Sequence, residues 1–125
     1  MARVLIVDDE PSVRRALRGF LERSGLAVVE AESADRALEI LEHDAPVDAV
    51  VSDVLMPGVS GIAFYDRLVT VAPELATRVV FLTGAAQNPE VHTRIEQRGV
   101  PLVSKLDDLR LVVDAVRWAL LRRVP

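Results

Sequence analysis

Val50-Val51-Ser52-Asp53-Val54-Leu55-Met56-Pro57-Gly58 is the stretch on which the fold turns. An apolar run that ends in an aspartate and gives way to a Met-Pro-Gly turn reads as a buried strand handing one carboxylate to a loop. Val4-Leu5-Ile6-Val7, followed by Asp8-Asp9-Glu10-Pro11, is a second run that stops at carboxylates. Continuous apolar runs, unlike alternating ones, belong to strands covered on both faces, as in a parallel sheet flanked by helices. Two strands therefore aim acid at the same rim. Carboxylates gathered at one rim repel each other, and a hard cation such as magnesium, which takes oxygen ligands, is a physical reason to assemble them. That points to phosphoryl chemistry.

Working outward, short apolar runs alternate with helix-period stretches, the pattern of strand and helix taking turns in an α/β sheet. Val13, Ala16, Leu17, Phe20 and Leu21 recur at three and four residues before a Ser24-Gly25 stop. Ala27-Val28-Val29 is a short second strand, and Ser33 is placed to cap a helix whose inward face is Ala34, Ala37, Leu38 and Leu41. A third helix is expected from near Ser60, with Phe64 and Leu68 one turn apart and Pro73 as its end. Arg78-Val79-Val80-Phe81-Leu82 is a fourth strand ending at Thr83-Gly84, followed by a polar, weakly anchored helix with Val91 and Ile95 as its apolar points. Leu102-Val103-Ser104 is the fifth strand, ending at Lys105 before a long helix capped by Asp107 or Asp108.

At 125 residues the chain is long enough for one core and too short for two, so residues 1–125 are expected to form one domain. Hydrophobic residues at 50% and charged residues at 27% are the balance of a chain that folds. A net charge of -4 argues against direct nucleic-acid binding, and Arg122-Arg123 is too small a basic cluster to reverse that. Without cysteine there is neither a disulfide frame nor a thiolate metal site. No apolar run approaches the ~20 residues of a membrane helix, and no signal peptide is legible, so a cytoplasmic location is expected. No glycine-rich nucleotide loop is present, so ATP is not expected as a direct substrate. His43 and His92 lie outside the strand-end motifs and read as surface helix residues.

In an open parallel sheet the ligand crevice lies beyond the carboxyl ends of the strands, where the strand order reverses. Strand one delivers Asp8 and Asp9 there, strand three Asp53, strand four Thr83 and strand five Lys105. Each feature alone has an ordinary explanation. Acids ahead of Pro11 cap helices, an aspartate before a turn forms turns, Thr-Gly is a loop, and a terminal lysine is a solvated charge. Their coincidence at successive strand ends is what selects a site.

Over essentially its whole length the chain resembles the receiver domains of bacterial response regulators, in the chemotaxis-receiver-like superfamily of two-component signalling. The matching pieces are Val7-Asp8-Asp9-Glu10-Pro11, Asp53 through Gly61, Thr83-Gly84 and Lys105. The resemblance implies a flavodoxin-like, doubly wound α/β fold with a five-stranded parallel sheet in the order 2-1-3-4-5 and five helices. It implies that Asp53 is the phosphoacceptor for a histidine kinase or phosphotransfer domain in a phosphorelay. Magnesium would be held by Asp8, Asp9, Asp53 and the backbone carbonyl of Leu55, while Lys105 and Thr83 would contact the phosphoryl oxygens. Such a domain catalyses its own phosphorylation and dephosphorylation and works mainly as a switch.

Two departures from the family pattern stand out. Leu106 follows Lys105 where receivers usually carry a proline with a cis bond, and because a cis non-proline bond costs about 2.5–4 kcal/mol a trans bond is expected. Leu102 stands where an aromatic residue usually tracks the threonine, which puts aromatic gating in doubt. Leu55 and Ala85, two positions after Asp53 and Thr83, would limit water near a phosphoryl group. A receiver-like interaction module without phosphoryl control is the alternative reading. A magnesium phosphatase is disfavoured because the second acid such enzymes place two residues after the nucleophile is here Leu55.

The last helix carries two apolar stripes. Leu109, Val112, Val113, Val116 and Leu120 should face the sheet, leaving Leu111, Ala115 and Trp118 nearly opposite, flanked by Arg110, Asp114 and Arg117. This second stripe is expected to be a partner surface, for a homodimer or an output domain. No output domain follows the last helix within these residues, and both a stand-alone receiver and a piece of a hybrid kinase or larger regulator are compatible with that.

Overall fold

The five apolar runs pair into one parallel sheet: β1 (Arg3–Val7), β2 (Ala27–Ala31), β3 (Ala49–Asp53), β4 (Val79–Thr83) and β5 (Leu102–Ser104), in the order β2-β1-β3-β4-β5. The computed structural model describes residues 1–43, 46–56, 58–84, 88–105 and 107–121. From β1 the chain runs outward to β2, then returns past β1 to β3 and continues to β4 and β5. The order therefore reverses between β1 and β3, and the loops that leave their carboxyl ends diverge and open a crevice.

Successive residues along each strand enter opposite layers of core. Leu5, Val7, Val50, Val79 and Phe81 join one cluster, while Val4, Ile6, Val51, Val80 and Leu82 join the other. The first layer is closed by α2 (Ala34–His43), α3 (Gly61–Val71), α4 (Pro73–Ala76) and α5 (Pro89–Glu96). The second is closed by α1 (Pro11–Arg23) and α6 (Arg110–Leu121), through Leu17, Leu21, Val112, Val113 and Val116. Coverage on both faces is why β3 and β4 are buried at every position and read as unbroken apolar runs.

Most helix boundaries follow from capping chemistry. Ser33 Oγ accepts from Arg36 N at 3.1 Å, Ser60 Oγ from Ala63 N at 3.1 Å, and Asn88 Oδ1 from Glu90 N at 3.0 Å. At α6 the choice between two acids falls to Asp108, whose Oδ1 accepts from Arg110 N at 2.9 Å. Helix α1 stops at Ser24, and Gly25 takes the left-handed φ of 87° that glycine adopts without a Cβ penalty.

Three expectations need correction. Six helices stand among the described residues where five were expected, because Pro73, taken as a terminator, instead starts the four-residue α4. Proline has no N–H to satisfy, so it is as suited to the first turn of a new helix as to ending the previous one. Ala16, read as one of the periodic apolar positions of α1, is exposed, the core side being carried by Leu17 and Leu21. Ala115 packs against the core alongside Leu109 and Leu120, so the outer face of α6 is reduced to Leu111 and Trp118 with Leu121 beyond them. Ala115 stands one turn from both Val112 and Ala119, which are buried, so it falls at the edge of the inward stripe.

Helix α5 is weakly anchored, as its polarity predicts: only Ile95 is buried, with Val91 partly so.

Candidate functional site

Sheet register sets the site before any side chain is considered. Val7 lies beside Ser52, Asp53 beside Leu82, and Thr83 beside Ser104, so Asp8, Asp53, Thr83 and Lys105 all leave the sheet at one rim. Asp8, Asp53 and Thr83 are among the few buried polar residues, at 1%, 4% and 0% exposure. Burying carboxylates is costly unless they are paired or hold a cation.

The pairing comes from Lys105. Its Nζ stands 3.0 Å from Asp53 Oδ2, 3.1 Å from Asp8 Oδ2 and 2.7 Å from Glu10 Oε1. The contact with Asp8 is at ion-pair distance but lacks hydrogen-bond geometry, leaving Asp8 Oδ2 buried with no hydrogen-bond donor. The other oxygens are held by backbone: Asp8 Oδ1 accepts from Glu10 N at 2.8 Å, and Asp53 Oδ1 from Leu55 N at 3.2 Å. Burial pushes the Asp53 carboxyl above its ordinary value, reinforced by the Asp8 charge and opposed by the hydrogen bonds from Lys105 and Leu55. Burial alone would lower Lys105. The hydrogen bonds to Glu10 and Asp53 outweigh it and hold the ammonium above its ordinary value.

Asp9 is exposed at the mouth, and one oxygen each from Asp8, Asp9, Glu10 and Asp53 lies within 4.8 Å of the others. Like charges at that distance cost on the order of 3 kcal/mol per pair at an effective dielectric constant of about 20. Four carboxylates face one ammonium, so the excess negative charge and the orphaned Asp8 Oδ2 both fit a small divalent cation with oxygen ligands. Magnesium is compatible with this donor set. Beside it a cavity of about 370 Å³ is lined by Glu10, Asp53, Leu55, Thr83, Gly84 and Lys105. A larger cavity, of about 500 Å³, lies elsewhere, lined by residues such as Leu41, Asp48, Leu75 and Arg78. It gathers no comparable set of convergent carboxylates, and chemistry, not size, selects the smaller one.

Every residue predicted for the site on the described chain is brought to this rim: Asp8, Asp9, Asp53, Leu55, Thr83 and Lys105. Leu106 and Ala85 lie outside the described residues, as do Pro57, Arg122 and Arg123. Leu102 is partly buried and packs against the core at the register position of Phe81. Leu111 and Trp118 are exposed on α6, at 48% and 54%.

Three contributors escaped sequence reasoning. Glu10 reads as a helix cap, and it occupies the N-cap position of α1, but its side chain makes no cap bond and goes to Lys105 instead. Arg14 donates from Nη1 to the Asp8 carbonyl at 2.6 Å while its Nε reaches Glu30 at 3.2 Å, fixing the turn that carries the acids. Its place four residues after Glu10 on α1 is the only signal, and a weak one. Gly61 donates from N to the Val54 carbonyl at 2.9 Å, packing the start of α3 against the end of β3. A glycine just after a cap serine was the signal for that contact.

Comparison with known proteins bears on the family and the fold. Residues 4–117 match the family described as response regulator receiver domain. The chain is 33% identical over 122 residues to a cyclic di-GMP phosphodiesterase of Thermotoga maritima, covering 97% of this chain and 32% of that protein. It is 34% identical over 121 residues to the transcriptional regulatory protein ResD of Bacillus subtilis, covering 97% of this chain and 48% of that one. The chain thus spans half or less of the length of these two relatives. Among solved structures it is similar to the signal receiver domain of a histidine kinase from Syntrophus aciditrophicus, with a TM-score of 0.84, 27% identity, and coverage of 100% and 96% of the two chains. The chemotaxis protein CheY4 of Vibrio cholerae superposes with a TM-score of 0.83 at 26% identity, over 95% and 98% of the chains.

Proposed function

The chain belongs to the response regulator receiver domain family, and from that premise we propose that it is a phosphorelay switch whose Asp53 accepts a phosphoryl group from the phosphohistidine of a kinase or phosphotransfer domain. The observation that carries this is the buried Asp53 carboxylate, held by Lys105 Nζ at 3.0 Å and Leu55 N at 3.2 Å at the wall of an open cavity. An Asp53 oxygen forms the new P–O bond as the P–N bond of the donor breaks, and the imidazole keeps the electron pair. Lys105 and Thr83 sit where they can meet the transferred oxygens, and water attack at phosphorus reverses the modification.

Asp8, Asp9, Asp53 and the Leu55 carbonyl would hold magnesium. The ion would supply positive charge that lets an anionic donor approach an anionic acceptor. Lys105 alone cannot neutralise four carboxylates. We further place the domain in the cytoplasm, where kinase partners act; among the described residues no helix is long and apolar enough to cross a membrane. Several relatives are regulators by their names, and a kinase partner and an output domain or second copy at Leu111 and Trp118 belong to the same proposal.

The test is intact-mass measurement after incubation with magnesium and a small phosphodonor. Wild type should gain one phosphoryl adduct and Asp53→Asn none. A folded wild type that gains no adduct and binds no beryllofluoride would favour the interaction-module reading, which the leucine at position 102 keeps in view.

A further inference from the structure

We propose that Glu10 is a resident competitor for Lys105, occupying the ammonium that an incoming phosphoryl group needs and thereby setting how readily Asp53 is modified. The inference rests on the reading of Asp53 as phosphoacceptor and adds a control over that site.

Lysine has three N–H donors and no more. Two are given to hydrogen bonds, to Glu10 at 2.7 Å and Asp53 at 3.0 Å, while Asp8 Oδ2 crowds the same ammonium at an ion-pair distance of 3.1 Å. With three carboxylate oxygens gathered around the ammonium, a phosphoryl oxygen gains an open approach to it when one of the three gives way. Asp8 and Asp53 cannot, because their side chains are 1% and 4% exposed and an unpaired buried carboxylate would be left behind. The Glu10 side chain is 54% exposed, so water can take over its hydrogen bonds when it swings out.

Its place in the chain supports the same role. Glu10 stands at the N-cap of α1 yet makes no side-chain cap bond, so leaving Lys105 and leaving its helix are independent events. It lines the same cavity as Asp53 and Thr83, so its charge faces any donor that enters. Displacement of the ammonium and repulsion of the donor act in one direction: both slow phosphorylation by dianionic donors. Glu10 as a metal ligand would act oppositely, since its loss would weaken magnesium and slow the reaction.

The experiment compares wild type, Glu10→Gln and Glu10→Asp as full chains, following the initial rate of adduct formation by intact mass. Donors are acetyl phosphate, a dianion, and phosphoramidate, of lower net charge, and magnesium affinity is measured by calorimetry. Glu10→Gln should be modified about twofold to fivefold faster by acetyl phosphate, mainly through a lower half-saturating donor concentration, as expected for loss of one part-exposed charge. The gain should be smaller with phosphoramidate. Glu10→Asp, one methylene shorter, should fall between, and magnesium affinity should change less than twofold. Equal rates in wild type and Glu10→Gln would overturn the inference while leaving Asp53 the acceptor. A slower Glu10→Gln with weakened magnesium binding would overturn it in favour of a ligand role. No adduct in wild type or any variant would overturn it through the phosphoacceptor reading itself.

Discussion

At Gly61 a single methyl group would reach into the site. A Cβ there would stand 1.9 Å from the Asp53 carbonyl oxygen and 2.9 Å from Val54 Cα, both of them backbone atoms that cannot rotate aside. Gly61→Ala must therefore push α3 away from the end of β3, at a cost of about 1–3 kcal/mol or more. Urea unfolding should show the loss, and phosphodonor labelling of Asp53 should slow because its backbone has moved. Asp53 itself makes a second prediction, from its raised pKa. A carboxyl whose folded value lies above its unfolded value binds its proton more tightly when folded, so its ionised form opposes folding at neutral pH. That opposition is full above the folded value and vanishes as pH falls below the unfolded one, near 3.8. Asp53→Asn should accordingly be more stable than wild type at pH 7, with the difference shrinking on acidification. A pH series of thermal melts reads this directly, and a variant less stable than wild type at pH 7 would contradict it.

Helices differ in how firmly they are held. Helix α5 buries Ile95 alone, and the turn after it is tied to α3 by Arg98, whose Nε and Nη2 donate to the two Asp66 carboxylate oxygens at 3.0 and 2.8 Å. The fork geometry is good, but Asp66 is half exposed, so the pair is worth less than about 1 kcal/mol globally. Its effect is local. Asp66→Asn should leave the global unfolding midpoint almost unchanged while speeding amide hydrogen exchange through α5, measured by mass spectrometry. The Arg98 hydrogen bond holds Asp66 below its ordinary value, so the tie persists above pH 3.8 and is lost only as pH falls through that lowered value. Helix α6 offers the opposite case, firmly buried on one side through Val112, Val113 and Val116 and exposing Leu111 and Trp118 on the other. If that face meets a partner, Trp118→Ala should weaken self-association or partner binding in the beryllofluoride state, measured by sedimentation, without lowering thermal stability by more than a few degrees.

For the whole molecule, a cation that binds the folded rim and not the unfolded chain must raise stability by mass action. At a magnesium concentration ten times its dissociation constant the gain is about 1.4 kcal/mol. Magnesium should therefore raise the melting temperature of wild type, and Asp9→Ala should blunt the rise because one of the clustered carboxylates is gone. Differential scanning calorimetry over a magnesium series checks this. A melting temperature indifferent to magnesium would remove the cation from the proposed chemistry.

The apolar runs, their terminal acids, Thr83, Lys105, the cap Ser33 and the helix start near Ser60 were legible along the chain because each is a local matter of burial period or hydrogen-bonding stereochemistry, while the choice of Asp108 over Asp107 fell to the structure. The resemblance those residues carry supplied the strand order. Helix α4 was not legible, since proline serves a helix start and a helix end equally, nor was the inward lean of Ala115, which depends on how closely α6 packs on the sheet. The role of the Glu10 carboxylate was not legible, because an acid ahead of Pro11 already has an ordinary place beside a helix N-terminus by local rules. Only tertiary structure brings Lys105, 95 residues away, to 2.7 Å and draws that side chain off its helix, because a charge-assisted bond at a partly buried ammonium outweighs a solvated cap.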